Sequence, residues 1–298
     1  MRPTALLLAA FVSTLYPTIA VADAAWQKSL LEWRERVDVN LRADNGWLTL
    51  AGRFVLKPGA NTFGTAEDNS IVFPKGLGPA RIGTLQVEPG KVTLRVAKGV
   101  MVEKDGMPFE ERVMGTDASK RDWVSIGPVQ MHVIAREDRF VLRLADNESA
   151  VRKGFGGRVW YEPKADYRVQ ATYVPYPPGR KITIINVIDE ASDEPSPGYV
   201  EFTLGGQRHT LDAVGEGDGL FFVLRDATAG DTTYRPGRFL YVSPKPKAGE
   251  RFTLDLNRIY NPPCAFSEFT TCPLPPKQNI LKTRVEAGEK YPPRRAAS

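Results

Sequence analysis

The feature that most constrains the fold is a long succession of short alternating runs that begins after residue 46. Phe252, Leu254 and Leu256 show the pattern, because polar residues stand between these apolar ones. Gly, Pro, Asn and Asp separate each run from the next at short and regular intervals. Successive side chains of a strand point to opposite faces, and such spacing is typical of sandwiches and barrels. The sequence therefore predicts a mainly β fold rather than βαβ units.

One amphipathic helix is predicted before these strands, within residues 23–45. Its apolar residues recur at spacings of three and four and draw a single stripe over 25–42, formed by Trp26, Leu30, Trp33, Val37 and Leu41. The segment Asp44-Asn45-Gly46 is a typical helix end. Because positive and negative charges are mixed on the opposite face, we expect the stripe to pack on a sheet.

The chain is predicted to begin with a signal peptide over 1–22. Arg2 precedes an apolar stretch from Leu6 to Val12, and cleavage is expected after Ala22 or Ala24. The stretch is shorter than the roughly 20 residues of a transmembrane helix. The alternative is an uncleaved N-terminal helix. The signal predicts a periplasmic or secreted protein without a membrane span.

Two β units are predicted after the helix, over 46–150 and 151–290, and a disordered tail over 291–298. The first unit resembles a forkhead-associated β-sandwich in its segments 54–64, 69–74 and 123–127. The phosphothreonine-binding groups of that family are absent, since Thr65 stands in place of an arginine and 80–83 lack the serine-to-histidine motif. The resemblance therefore implies a scaffold without a phosphopeptide site. The second unit is expected to consist of antiparallel strands.

Composition and charge exclude several function classes. The net charge is +5, and the basic residues are scattered apart from Arg294-Arg295. Nucleic-acid binding is therefore not predicted. The chain also lacks a nucleophile elbow, a phosphate-binding loop, a dinucleotide fingerprint and a zinc-protease motif. We predict no cofactor, and the oligomeric state stays open.

The two cysteines, Cys264 and Cys272, lie close together in a segment rich in proline. Proline excludes an ordinary helix or central strand here and indicates a stiff loop. In an exported chain, two cysteines favour one disulfide. A reactive thiol and a metal ligand are the alternatives. His132 and His209 do not lie at zinc-ligand spacing from the cysteines, so no metal site is predicted.

Two polar clusters in the second unit are candidate sites. The first, over 225–238, follows an apolar run and offers an acid, hydroxyl groups and a guanidinium fork for an anion or sugar: Asp226, Thr233, Tyr234 and Arg238. The second places Asp255 and Asn257 together on the polar face of the predicted strand 251–257, and Tyr260 and Asn261 follow this strand. If the two clusters face each other, Asp255 would pair with Arg238 or act as a general base. Turn caps and buried ion pairs are the structural alternatives for both clusters.

Several blocks of the chain resemble domain-of-unknown-function family 1684. These blocks are 46–52, 226–238, 255–264, 272–276 and 287–290, with Leu256 where the family usually has phenylalanine. The resemblance implies no reaction. It implies that the family's signature positions include Asp255, Asn257, Asn261, Cys264 and Cys272.

These observations predict an exported protein that binds a small polar or glycan-like ligand in its C-terminal half. The catalytic candidates Asp255 and Asp226 would also allow hydrolysis, so whether the protein is an enzyme stays open. The alternative is a non-catalytic envelope interaction or structural module.

Overall fold

A computed structural model describes residues 16–136, 138–215 and 217–291 of the chain. Most of the predicted signal peptide and most of the predicted disordered tail lie outside these ranges. Within them, the predicted mainly β fold with an N-terminal helix is confirmed. The helices are α1 (Tyr16–Arg42) and α2 (Ala150–Lys153). None of the described helices combines the length and the apolar character needed to cross a membrane.

The strands in chain order are β1 (Leu50–Val55), β2 (Gly59–Gly64), β3 (Ile71–Val72), β4 (Gly83–Glu88), β5 (Lys91–Val96), β6 (Glu103–Lys104), β7 (Met107–Pro108), β8 (Glu111–Val113), β9 (Val124–Ile126), β10 (Val129–Arg136), β11 (Arg139–Asp146), β12 (Arg168–Pro175), β13 (Lys181–Ile185), β14 (Ala191–Pro195), β15 (Gly198–Leu204), β16 (Gln207–Asp212), β17 (Leu220–Leu224), β18 (Arg238–Val242) and β19 (Arg251–Asp255).

The N-terminal half contains two sheets around one apolar core. One sheet has the order β1-β11-β10-β9-β6-β7, and the other has the order β3-β2-β4-β5-β8. The pairings are antiparallel except that of β2 with the short β3. Phe63, Leu85, Leu94, Leu142 and Leu144 are among the buried side chains of this core. The likeness to a forkhead-associated sandwich stays a prediction.

The C-terminal half contains a sheet of order β16-β15-β12-β19 and two hairpins, β13-β14 and β17-β18. Its larger core lies between the sheet and the β17-β18 hairpin and includes Val200, Phe222 and Leu254. A smaller apolar cluster joins Ile184 of β13 to Cys272. The apolar clusters of the two halves fall on either side of residue 150, and the predicted domain boundary there stays a prediction.

Helix α1 packs through the predicted stripe, since Trp26, Leu30 and Leu41 are buried. The helix ends as the sequence predicts, because Asn45 takes a left-handed conformation and the amide of Gly46 closes the last turn on Ala43. The helical conformation already begins at Tyr16, upstream of the predicted boundary at residue 23.

Some predicted strands differ from the observed ones. The sequence pattern also predicts a strand over 157–162, but these residues form only an isolated bridge at Trp160, and β2 and β14 arise where the pattern predicts no strand. Strand β14 was missed because its residues are mostly exposed and polar and give no alternation. The predicted strand 251–257 ends at Asp255, and a 3₁₀ turn over Leu256–Arg258 follows. Asp255 and Asn257 therefore do not share a strand face.

Candidate functional site

Arg238 lies inside the protein and is fully engaged there. Its Nη2 donates to Oδ2 of Asp226 at 2.7 Å and to the Val285 carbonyl at 3.0 Å. Its Nη1 donates to the carbonyls of Ala287 at 2.7 Å and Glu289 at 3.1 Å. All four Nη hydrogens are used, so they are not available to a ligand carboxylate or phosphate. The geometry corrects the predicted ligand-binding fork to a buried clamp on the segment 285–289.

Asp226 and Thr233 belong to the same buried network. Oδ1 of Asp226 accepts from the amide and the hydroxyl of Thr228 and from the Val285 amide. The Thr228 and Thr233 hydroxyls lie 2.8 Å apart. Both oxygens of Asp226 are thus occupied by protein donors, as in an Asx turn. The side chain of Asp226 is only 1% exposed, so a substrate in solvent cannot reach it for the predicted catalytic role.

Asp255 anchors helix α1 on the C-terminal half. Its Oδ2 accepts from the indole nitrogen of Trp26 at 2.7 Å and lies 3.5 Å from Nε of Arg258. Its Oδ1 accepts from the amide and the side-chain nitrogen of Asn257. Four donors meet about four lone-pair sites, so little capacity is left for abstracting a proton. The predicted pair with Arg238 is wrong, because Arg238 pairs with Asp226 instead.

Asn257 fixes the chain rather than facing a ligand. Its side chain is fully buried and binds both backbone groups of Lys164, accepting from the amide and donating to the carbonyl at 3.0 Å each. This bond joins the turn after β19 to the segment before β12. The local sequence gives no sign of it, because the two segments lie far apart along the chain.

Asn261 contacts Glu289, a buried acid that is not among the predicted site residues. Its amide donates to Oε2 of Glu289 at 2.7 Å, and Nη1 of Arg158 lies 2.5 Å from the same oxygen. Burial raises the pKa of Glu289 to about 7 and outweighs the opposing effects of Arg158 and the Asn261 amide. The one sign of Glu289 in the sequence is its place in the resemblance block 287–290.

The tyrosines and cysteines stiffen the same region. Tyr234 donates from its hydroxyl to the Cys264 carbonyl at 3.0 Å. Tyr260 packs edge to face on Trp33, and burial raises the pKa of its hydroxyl. Cys264 and Cys272 form a disulfide, which confirms the predicted bond and removes the thiol and metal-ligand alternatives.

One residue of the predicted site lines a cavity. A cavity of about 440 Å³, here called the Asp255 cavity, lies between α1, β18 and β19. Its walls combine two aromatic rings, apolar strand residues and polar groups: Trp33, Leu240, Tyr241, Val242, Ser243, Thr253, Asp255 and Arg258. Arg258 lies over the Trp33 ring at 5.5 Å and donates to the Ser29 hydroxyl at 2.8 Å.

The predicted site is thus divided by the fold. Asp226, Thr233 and Arg238 form the buried network, and Asp255 opens on the cavity. Sequence reasoning missed Trp33 and Tyr241 as cavity residues. Trp33 was assigned to the packing stripe of α1, and the chain carries no local sign that this stripe borders β18. Within the described ranges, no group of three or more His, Cys, Asp or Glu side chains is arranged to hold a metal ion.

Comparison with known proteins agrees with the resemblance in the C-terminal half. Residues 153–290 match the family described as "Protein of unknown function (DUF1684)", so the block 46–52 lies outside the matched segment. No curated protein matches the chain. The solution NMR structure of an uncharacterized protein from Haloarcula marismortui is 32% identical, and the alignment covers 48% of this chain and 81% of that one. Its TM-score is 0.41, which does not establish a shared fold. Through its segment 153–290, the chain belongs to the DUF1684 family.

Proposed function

We propose that this chain is an exported protein that binds a small polar, glycan-like ligand in the Asp255 cavity. The observation that supports it is the make-up of that cavity, in which aromatic rings stand beside a carboxylate, a guanidinium and hydroxyl groups. Ligand sites commonly have volumes of roughly 300–1,000 Å³ and combine apolar walls with a few polar groups. The volume of about 440 Å³ suits one or two sugar rings.

Tyr241 is the residue best placed to contact such a ligand. The residue is 49% exposed, so its ring is accessible from solvent. An aromatic ring offers an apolar face to the C–H groups of a sugar and a polar tip to its hydroxyls. Thr253 and Ser243 are exposed on the same rim and supply hydroxyl partners.

Binding is favoured over hydrolysis at this cavity. A general base needs a free lone pair within reach of the proton that it takes. The carboxylate of Asp255 is occupied by Trp26, Asn257 and Arg258, so it shapes the wall of the cavity. Export is part of the proposal, because a disulfide is typical of oxidising compartments and the sequence predicts a signal peptide.

Titration of the protein with soluble oligosaccharides tests the proposal through intrinsic tryptophan fluorescence, to which Trp33 of the cavity wall contributes. We expect a saturable change for at least one of chitotriose, maltotriose and a peptidoglycan disaccharide, at weak affinities of about 1–10 mM or tighter. Tyr241→Ala should weaken binding about tenfold, and Tyr241→Phe, which keeps the ring, should retain most of it.

Flat titrations with all three sugars, or equal binding by Tyr241→Ala, would contradict the proposed ligand class. They would favour the alternative of a non-catalytic interaction module. The thermal unfolding midpoint of Tyr241→Ala should match that of Tyr241→Phe, which separates loss of binding from loss of fold.

A further inference from the structure

The outer face of the β1-β11-β10 sheet carries a cluster of arginines. Along β11, Leu142 and Leu144 point into the apolar core, so Val141 and the arginines at 139 and 143 face the other way. The register places Arg53 opposite Arg143 and Arg136 opposite Arg139. Like charges directly opposite each other on a sheet destabilise it. Two such pairs on one face of the sheet, at positions 143 and 139 of β11, favour a compensating negative charge.

These arginines line a cavity of about 310 Å³, here called the arginine cavity. It lies between the sheet of the N-terminal half and the β13-β14 hairpin of the C-terminal half: Arg53, Ile134, Arg136, Arg139, Val141, Arg143, Asn186, Glu190, Ala191, Ser192, Glu194 and Thr271. The disulfide segment holds the hairpin in place, since Leu274 donates to the Ile185 carbonyl at 2.7 Å and Val187 donates to the Cys272 carbonyl at 3.0 Å.

The charges in this cavity do not balance. Among the described residues that line it, four guanidinium groups face two carboxylates, Glu190 and Glu194, which leaves two positive charges in excess in this part of the chain. Glu190 pairs with Arg139 across the junction of the two halves. Neither Arg53 nor Arg136 has an ion pair or a hydrogen bond with another described residue.

The buried guanidinium of Arg143 is the strongest indication that the cavity binds an anion. Arg143 is only 8% exposed, its Nε has no hydrogen-bond partner within the described residues, and its Nη1 reaches the Phe269 carbonyl at 3.3 Å. Burial, together with the smaller effects of Arg136 and Arg53, lowers the pKa of Arg143 to about 10. A buried cation without a counter-charge is costly, so the cavity is built for an anion.

We propose that the arginine cavity binds a small dianionic oxyanion, namely inorganic phosphate or the phosphate group of a monoester. The excess of two positive charges matches a phosphate, which carries about −1.5 to −2 at pH 7. Guanidinium groups offer planar forks that receive phosphate oxygens in pairs. This site shares no residue with the Asp255 cavity, so the result for one proposal does not decide the other.

Isothermal titration calorimetry of the whole protein at constant ionic strength tests this proposal. The probes are inorganic phosphate, glycerol phosphate, malonate as a dicarboxylate, and acetate as a monoanion. We expect saturable one-to-one binding of phosphate or glycerol phosphate, and whichever binds more tightly identifies the source of the phosphate group. Absence of saturable binding for both, or malonate binding as tight as phosphate, would overturn the assignment.

Two arginines allow variants without disturbing a buried contact. Arg136 is exposed and Arg53 is half-buried, so Arg136→Gln and Arg53→Gln should fold. Each should weaken phosphate binding about tenfold or more, the loss expected for one charge-assisted hydrogen bond. Arg208→Gln, on the exposed part of β16, is the matched control and should bind as the parent protein does.

Stability without phosphate separates a binding site from a structural one. Because Arg136 lies opposite Arg139, Arg136→Gln should unfold at the same or a higher temperature than the parent protein when phosphate is absent. It should lose most of the phosphate-induced rise in Tm. A variant that unfolds earlier without phosphate and keeps the phosphate-induced rise would overturn the proposal.

Discussion

Arg238 and Asp226 form an ion pair at 2.7 Å in which each side chain is only 1% exposed. The pair joins the start of β18 to the turn after β17, and through the carbonyls of Val285, Ala287 and Glu289 it holds the last described segment of the chain. Removing one partner leaves a buried charge without compensation, which costs far more than the pair contributes.

Asp226→Ala is therefore expected to lower the free energy of unfolding by about 3–5 kcal/mol. Urea unfolding at pH 7 measures the change. Asp231→Ala, which removes a surface pair with Arg284, is the matched control and should cost no more than about 1 kcal/mol. A loss below about 1 kcal/mol for Asp226→Ala would show that the pair is not a structural clamp.

Glu289 should make stability depend on pH near neutrality. Its pKa is raised by burial from 4.5 to about 7, so the folded state binds a proton more tightly than the unfolded state. Its contribution is full below about pH 4.5 and is lost as the pH rises through about 7. The slope is at most about 1.4 kcal/mol per pH unit in that window.

Urea unfolding from pH 5 to 8 tests this, compared with Glu289→Gln, whose amide cannot ionise. The difference in unfolding free energy between parent and variant should shift against the parent protein as the pH rises. A difference that is constant with pH would mean that the ion pair with Arg158 keeps Glu289 charged throughout.

The disulfide is expected to stabilise the fold and to shape the arginine cavity. The segment between Cys264 and Cys272 supplies Thr271 to the cavity wall and the Phe269 carbonyl to Arg143. The double variant Cys264→Ser/Cys272→Ser should lose about 2–3 kcal/mol of unfolding free energy by loop-closure entropy. Its phosphate affinity should also fall.

Calorimetry and urea unfolding, each with and without a reductant, measure both effects. The reductant should lower both the unfolding free energy and the phosphate affinity of the parent protein. It should leave both quantities unchanged in the double variant. If the double variant binds phosphate as tightly as the parent protein does, the disulfide does not shape the arginine cavity.

His132 should report occupancy of the arginine cavity. It is buried against the Trp123 ring, its Nδ1 has no hydrogen-bond partner among the described residues, and it lies opposite Arg143. Burial and the nearby cations, Arg121 foremost, lower its pKa to about 4. A bound dianion should raise this pKa, because an opposite charge favours the imidazolium.

Nuclear magnetic resonance titration of the His132 ring with and without phosphate provides the measurement. Without phosphate, the ring should stay neutral throughout pH 5.5–8, as the pKa of about 4 requires. A midpoint near 6.5 without phosphate would contradict the buried environment. Chloride at the same ionic strength is the control and should leave the midpoint unchanged.

The sequence predicts the elements with strong local patterns. The stripe of α1 and the alternation of β19 depend on neighbouring residues, so the chain alone reveals them. Strand β14 lacks such a pattern because it is polar and forms only a two-stranded hairpin. The end of strand β19 at Asp255 is not predicted, because Leu256 continues the alternation of apolar residues although its backbone enters a 3₁₀ turn.

The candidate site was predicted by residue type and divided by the fold. The cluster at 225–238 did bring together an acid and an arginine, and their geometry makes them partners of each other. The arginine cavity was missed because its four arginines are spread over three strands and look like scattered surface charge.

What the sequence by itself determined is the mainly β class, the amphipathic helix and the disulfide, because periodicity and cysteine pairing in a short loop are local properties. Only the tertiary structure decided which charges are neutralised. Strand register set Arg53 opposite Arg143, and chain segments far apart in sequence supplied Asp226 and Arg238 with their carbonyl and amide partners. Register and burial depend on long-range packing, and these two decide whether an arginine is a structural clamp or an open anion site.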